Sequence, residues 1–174
     1  MRIISGKLKR KRIIAPNNLP VRPTTDRAKE ALFNILNNRY YFDGKNVLDL
    51  FSGTGNISYE FASRGIEEIT SVDSNDNCIK FINTTSKELE VNIYTIKSDC
   101  LSFLRNCKKQ FNFIFADPPY NYDNYSEIVN IIKKNNLVKK DGCLIIEHDN
   151  TTSFTDNNIE LKKYGAVHFS LFSF

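Results

Sequence analysis

From Asn46 onward the chain alternates short apolar runs with longer stretches of helical spacing, and that alternation restricts the fold more than any other feature. The runs predict strands at 47–51, 68–73, 93–97, 111–116 and 143–148, with helices at 56–64, 75–89, 100–108 and 124–136 between them. Such a pattern calls for a parallel sheet, because each helix carries the chain back along one face and the next strand runs the same way. Two closing runs, 161–164 and 167–172, flank Gly165 and read as an antiparallel hairpin at one edge. The expected class is α/β: a doubly wound, mostly parallel, seven-stranded sheet. Upstream, Ala28, Ala31, Leu32, Ile35 and Leu36 recur at helical spacing over residues 25–38, with Thr25 or Asp26 placed to cap the start.

In sheets of this kind ligands gather at the carboxyl ends of the strands, and four acids fall there: Asp49, Asp73, Asp99 and Asp117. The first lies in Val47-Leu48-Asp49-Leu50-Phe51-Ser52-Gly53-Thr54-Gly55, an apolar strand running into a glycine turn and then a helix. Glycine lets such a turn approach a ligand closely. A dinucleotide fingerprint requires a third glycine at the position held here by Ser58, so NAD is disfavoured. A carboxylate before the turn would repel a pyrophosphate and suits a ligand with an ammonium group, such as the methionine part of S-adenosylmethionine. Asp73, in Asp73-Ser74, stands where a βαβ unit presents an acid to ribose hydroxyls. Asp99, in Asp99-Cys100, is placed to accept from the adenine amine. The candidate cofactor contacts are thus Asp49, Phe51, Ser52, Gly53, Thr54 and Gly55 on the turn, then Asp73 and Ser74, then Asp99 and Cys100. Against this stands the simpler reading that each aspartate caps the helix after it.

The strand at 111–116 hands over to Asp117-Pro118-Pro119-Tyr120. An exocyclic amine on a nucleobase shares its lone pair with the ring and reacts only when hydrogen bonds aim that pair at an electrophile. The Asp117 carboxylate and the Pro118 carbonyl can accept its two hydrogens, with Tyr120 stacked on the ring. Proline has a fixed φ and no N–H, so Pro118 and Pro119 hold their carbonyls in place. The competing reading is a plain strand-to-loop turn.

The net charge of +4 is unevenly spread. Arg2, Lys7, Lys9, Arg10, Lys11 and Arg12 crowd the first 12 residues with no acid among them, leaving the other 162 residues at −2. Ile3-Ile4 and Ile13-Ile14 on either side of Gly6 read as a short hairpin presenting these bases to nucleic acid, rather than a solvated tail. Arg22 and Arg27 flank the first helix and fit RNA or cofactor contacts as well as surface ion pairs.

The remaining composition excludes more than it assigns. No apolar run approaches the ~20 residues of a membrane span, and no apolar stretch near the start precedes a cleavage site. The four cysteines lack any C-x-x-C pair and the two histidines lie far apart, which disfavours a zinc or disulfide framework and fits a cytoplasmic protein. His148 and His168 read as structural.

On these residues the chain resembles the RsmD-type bacterial RNA methyltransferases over nearly its whole length. The resemblance rests on the basic opening Met1-Arg2-Ile3-Ile4-Ser5-Gly6-Lys7-Leu8-Lys9, on Arg22-Pro23-Thr24-Thr25-Asp26-Arg27, on the glycine turn, on Ser63-Arg64-Gly65 and on Asp117-Pro118-Pro119-Tyr120. The family often has small residues and another glycine where this chain has Asn56-Ile57-Ser58-Tyr59. The resemblance implies one Rossmann-like, class I methyltransferase domain over 1–174, with residues 1–20 as a basic hairpin extension and 21–174 as the catalytic core. It implies S-adenosylmethionine as methyl donor and the N2 amine of a guanine in 16S ribosomal RNA, free or in an assembling small subunit, as target. A monomer without metal or membrane contact is expected. The alternatives are a DNA adenine-N6 or cytosine-N4 methyltransferase, which uses the same corner chemistry, and a non-catalytic RNA-binding scaffold.

Overall fold

Both faces of the central strands are apolar, and each face packs against its own set of helices. The computed structural model describes residues 1–16, 19, 25–119, 121–155 and 158–174. In chain order it holds α1 (Asp26–Arg39), β1 (Asn46–Leu50), α2 (Asn56–Ser63), β2 (Glu68–Asp73), α3 (Asp76–Glu88), β3 (Ile93–Lys97), α4 (Cys100–Asn106), β4 (Phe111–Ala116), α5 (Tyr125–Lys134), β5 (Val138–His148), β6 (Ile159–Tyr164) and β7 (Val167–Ser173). Val47, Phe113, Phe115 and Ile145 point to the side covered by α1, α2 and α3. Their neighbours Leu48, Ile114, Leu144 and Ile146 point to the side covered by α4 and α5. Side chains of a strand alternate between faces, so two separate cores follow from one unbroken apolar run.

The seven strands lie in the order β3-β2-β1-β4-β5-β7-β6. The first five are parallel, while β7 runs antiparallel to both β5 and β6. The winding direction reverses between β1 and β4, which opens a crevice at their carboxyl ends. Thr25 caps α1, its hydroxyl accepting from the Ala28 N–H at 3.2 Å, so of the two candidate caps the threonine serves.

Four strands differ from expectation at a boundary: β6 begins two residues early at Ile159, β7 ends one residue late at Ser173, and the other two have a backbone cause. β1 stops at Leu50, because Phe51 has φ of 57°, in the left-handed region. β5 begins at Val138, five residues before the predicted start, and its register against β4 shifts between Phe111 and Phe113. Lys139-Lys140-Asp141-Gly142 lacks apolar residues, yet it forms an irregular strand end with Asp141 at φ 60°.

The basic opening is an ordered hairpin. Ile3 N–H donates to the Lys11 carbonyl at 3.0 Å, Arg10 N–H to the Ile3 carbonyl at 2.9 Å, and Arg2 and Arg12 form an antiparallel bridge. Ile3 and Ile13 are buried while Ile14 is exposed, so one residue of each pair anchors the hairpin. It sits on α2, which explains why all eight residues of that helix are buried. The expected boundary at residue 20 falls outside the described residues.

The contact is close. Lys7 N–H donates to the Ser63 carbonyl at 2.7 Å, and a Cβ on Gly6, at φ +81°, would lie 1.9 Å from that same oxygen. Gly6→Ala is expected to lift the hairpin off α2. Trypsin should then cut within residues 7–12 about tenfold faster or more, with cofactor-site binding retained.

Beneath the hairpin lies a buried ion pair, Lys29 Nζ to Glu60 Oε2 at 3.3 Å, with both side chains fully buried. Glu60 also accepts from the backbone N–H groups of Ile4 (2.8 Å) and Ser5 (3.1 Å) and from Arg64 (2.8 Å). Lys29 in turn donates to the Arg2 carbonyl and to Asn56 Oδ1, each at 2.7 Å. Burial holds the Lys29 ammonium below its ordinary 10.5, partly offset by Glu60. Two charges out of water are tolerable here because every neighbour is a hydrogen-bond partner.

Candidate functional site

The carboxyl ends of β1 and β4 meet directly: Asp117 N–H reaches the Leu50 carbonyl at 3.4 Å. The glycine turn and the Asp-Pro-Pro corner therefore flank one cavity of about 670 Å³, within the size range of small-molecule sites. Asp49, Phe51, Ser52, Gly53 and Thr54 line it on one side. Asp73 and Ser74 close one end, and Asp117, Pro118 and Pro119 stand opposite the turn.

The turn is built to a fixed shape. Ser52 N–H donates to the Val72 carbonyl at 3.0 Å and Gly55 N–H to the Ser52 carbonyl at 2.7 Å. Asp73 accepts from Gly53 N–H at 2.7 Å and from Asn75 N–H at 2.8 Å, tying β2 to the turn, and it lines the cavity. Gly55, not a wall residue, is the left-handed residue that starts α2 (φ +77°), where a Cβ would lie 2.9 Å from the Tyr59 ring. The bulk of Tyr59, where the family often has small residues, is thus accommodated by a glycine beside it.

The capping reading separates the four aspartates. Asp99 does cap its helix, accepting from Ser102 N–H at 2.9 Å, and it is exposed. Asn75, not Asp73, caps α3, and neither α2 nor α5 has a side-chain cap bond. Neither Asp99 nor the buried Cys100 lines the cavity. Both lie beside Tyr122, a wall residue whose ring meets Phe51 edge-on at 5.2 Å. Burial, then the neighbouring Cys100 and Asp99, push the Tyr122 phenol up to about 12.

Asp49 is the deepest of the cavity's acids, 1% exposed, its carboxylate accepting from the Ser58 hydroxyl at 2.5 Å. Burial pushes it from its ordinary 3.8 up to about 7. The folded state therefore holds a proton that the unfolded chain gives up near pH 4, and the apo protein loses stability as pH rises from about 4 to about 7. Asp49→Asn carries no such charge and is expected to melt above the parent at pH 8. The gap should be on the order of 4 kcal/mol, from roughly three pKa units, and should close toward pH 4 in thermal melts.

Sequence reasoning missed Glu147. It is 7% exposed and lines the cavity from the end of β5. Phe115 pairs with Ile145 across β4 and β5, so Asp117 and Glu147, two residues further on, are neighbours on the same face. Burial first, then the charges of Glu147 and Asp49, hold Asp117 well above the ordinary 3.8. The signal was present: Leu144-Ile145-Ile146 ends in an acid as the other strands do. Thr25, Asn56 and the β6–β7 turn (Tyr164, Ala166, Val167) also reach the cavity and had no sequence signature.

Tyr120 and Arg22 lie outside the described residues. Arg2, Lys7, Lys9, Arg10, Lys11 and Arg12 are all exposed on the hairpin. Arg2 is paired with Asp26 at 3.2 Å. The histidines are structural: His148 Nε2 bonds the Ser170 hydroxyl at 2.8 Å between β5 and β7. Among the described residues no group of acids, cysteines and histidines is arranged to hold a metal ion, and no helix is long and apolar enough to cross a membrane.

A family model described as "Conserved hypothetical protein 95" matches residues 1–173. The ribosomal RNA small subunit methyltransferase D of Buchnera aphidicola subsp. Baizongia pistaciae is 31% identical over 179 aligned positions, covering 99% of this chain and 91% of its own. The chain belongs to the RsmD-type methyltransferase family. YlbH of Bacillus subtilis is 34% identical over 154 positions, covering 86% of this chain and 83% of its own. The solved structure of a hypothetical protein from Thermus thermophilus superposes with a TM-score of 0.87 at 24% identity, covering 99% of this chain and 98% of its own. RsmD-type membership and the strand order agree: this is the Rossmann-like class I S-adenosylmethionine-dependent methyltransferase fold.

Proposed function

We propose that this chain methylates the exocyclic N2 of a guanine in 16S ribosomal RNA, using S-adenosylmethionine. The observation that carries the reading is the single cavity shared by the glycine turn and the Asp117-Pro118-Pro119 corner, in a chain whose relatives include small-subunit ribosomal RNA methyltransferases. The residues present fit the donor. Asp49 offers an acid to an ammonium, Asp73 offers one to ribose hydroxyls, and the fixed turn between them leaves backbone close to the ligand. At the adenine end Tyr122 forms the wall, and Asp99 and Cys100 stand behind it and would reach the adenine only once that ring moves. When bound, S-adenosylmethionine supplies an electrophilic methyl group on its sulfonium.

The protein's own part is to position, orient and take a proton. Pro119 already accepts from Tyr122 N–H at 2.9 Å, which fixes the corner's bend. The Pro118 carbonyl and the Asp117 carboxylate then hold the two hydrogens of the amine and aim its lone pair. The amine becomes acidic as its new bond forms, and Asp117, whose site favours the protonated state, receives the surplus proton. Tyr120 stacks on the extruded base and offsets part of the few kcal/mol that extrusion costs.

The hairpin, as an extension of one methyltransferase domain, grips RNA phosphates. With Arg2 engaged by Asp26, five bases remain on it: Lys7, Lys9, Arg10, Lys11 and Arg12. If each meets a phosphate, the log–log salt slope of RNA binding is about −3.5, at roughly −0.7 per contact. Filter binding between 50 and 200 mM salt measures it, and a slope near zero would remove the hairpin from the interface. Arg22 is proposed as a further RNA contact. We place the protein in the cytoplasm, as a monomer.

The deciding experiment is transfer of a labelled methyl group to small-subunit particles, free 16S ribosomal RNA and DNA side by side, followed by nucleoside analysis. N2-methylguanosine from ribosomal RNA is the expected product. N6-methyladenine or N4-methylcytosine in DNA, or no product at all, would overturn the reading.

A further inference from the structure

The order of strands across the cavity is also an order of chemical tasks. Asp73 ends β2, Asp49 lies near the end of β1, Asp117 follows β4 and Glu147 lies near the end of β5, with the β6–β7 turn beyond. If the cofactor occupies the β2–β1 end, as proposed above, the base enters from the β5–β7 end. The acid that lines the cavity there is Glu147.

We infer that Glu147 is the residue that selects guanine, by accepting a hydrogen bond from the ring N1–H while Asp117 accepts from the N2 amine. The register supports it: Asp117 and Glu147 are lateral neighbours on one face, and both line the cavity. Neighbouring strands stand about 4.8 Å apart, close enough for two carboxylates to address adjacent donors on one base edge. An ionised Glu147 accepts and never donates. Beside the amine held at Asp117, it therefore requires a ring N–H, which guanine has. Adenine and cytosine each place a bare ring nitrogen next to the amine, and that lone pair would face the Glu147 carboxylate. Rejection of those bases is built into the site by repulsion as well as by a missing bond.

This inference rests on the guanine-amine reading, and the test separates the two. Once the methylated nucleotide is mapped, 16S ribosomal RNA is assembled by splinted ligation with guanosine or 2-aminopurine riboside at that position and folded into particles. 2-Aminopurine keeps the amine and lacks N1–H. The parent enzyme should favour guanosine by about 10- to 100-fold, the value of one hydrogen bond to a charged group. Glu147→Gln, checked for folding by its melt and its binding of the cofactor product, should slow guanosine and narrow that ratio at least tenfold. The glutamine amide can donate to the bare N1. A purely structural role would slow both substrates equally and leave the ratio unchanged, which overturns the inference. So does a parent enzyme that methylates both substrates alike, a measurement that needs no variant. Failure of the parent on guanosine particles counts against the proposed function itself.

Discussion

Asp117→Ala is expected to abolish methyl transfer while the protein still binds the cofactor product. Asp117 stands opposite the glycine turn and does not shape it: its backbone N–H, which the substitution keeps, is what bonds Leu50. What is lost is the acceptor that orients the amine and the group that takes its proton, each worth about 10²- to 10⁴-fold in rate. Single-turnover methylation and calorimetric titration with the cofactor product, run on one preparation, give both halves of the result. Asp117→Asn is more informative still. Asparagine keeps an oxygen to accept from the amine and loses the proton sink, so activity between the parent and the alanine variant would apportion the two roles. Full activity in the alanine variant would remove Asp117 from the chemistry, and full activity in the asparagine variant would remove only its role as proton sink.

The largest stability effect should come from Glu60, far from the reacting atoms. Glu60→Ala leaves the Lys29 ammonium buried without its counter-charge and orphans the N–H groups of Ile4 and Ser5. Breaking a buried pair from one side costs about 3–5 kcal/mol. For a chain of this size each kcal/mol moves the melting temperature by about 2–4 °C, so scanning calorimetry should read a fall of about 6–20 °C. In many proteins a buried pair can be exchanged for two apolar residues at little cost. Here the double change Lys29→Met with Glu60→Leu should not recover the parent's stability, because Glu60 also holds two backbone donors of the hairpin. Recovery to within about 1 °C would show that those backbone bonds contribute little.

Most of the architecture could be read from the chain because strands buried on both faces and helices between them leave unmistakable periods. All seven strands and the hairpin opening emerge from apolar spacing alone. What failed was local. Phe51 looks like one more strand residue, and only the backbone reveals the left-handed bend that turns the chain toward Gly53. The cavity was half legible. Asp49, Asp73 and Asp117 announce themselves because each ends an apolar run. Glu147 carries the same signature at the end of Leu144-Ile145-Ile146, one residue before a histidine that bonds within the sheet. The Lys29–Glu60 pair had no signature at all. Each sits in a helical stretch where a charge ordinarily faces water, and only the packing of the hairpin, 27 positions from Lys29 and 55 from Glu60, converts both into interior residues.

That separation fixes the sequence of events when the chain folds. Ile4 finds its partner Glu60 across 56 positions, and contacts that close such long loops form late. Residues 1–12 are therefore expected to settle after the elements they cover. Until they do, α2 stands uncovered, so the basic arm and the glycine-turn helix reach their working form in the same final step.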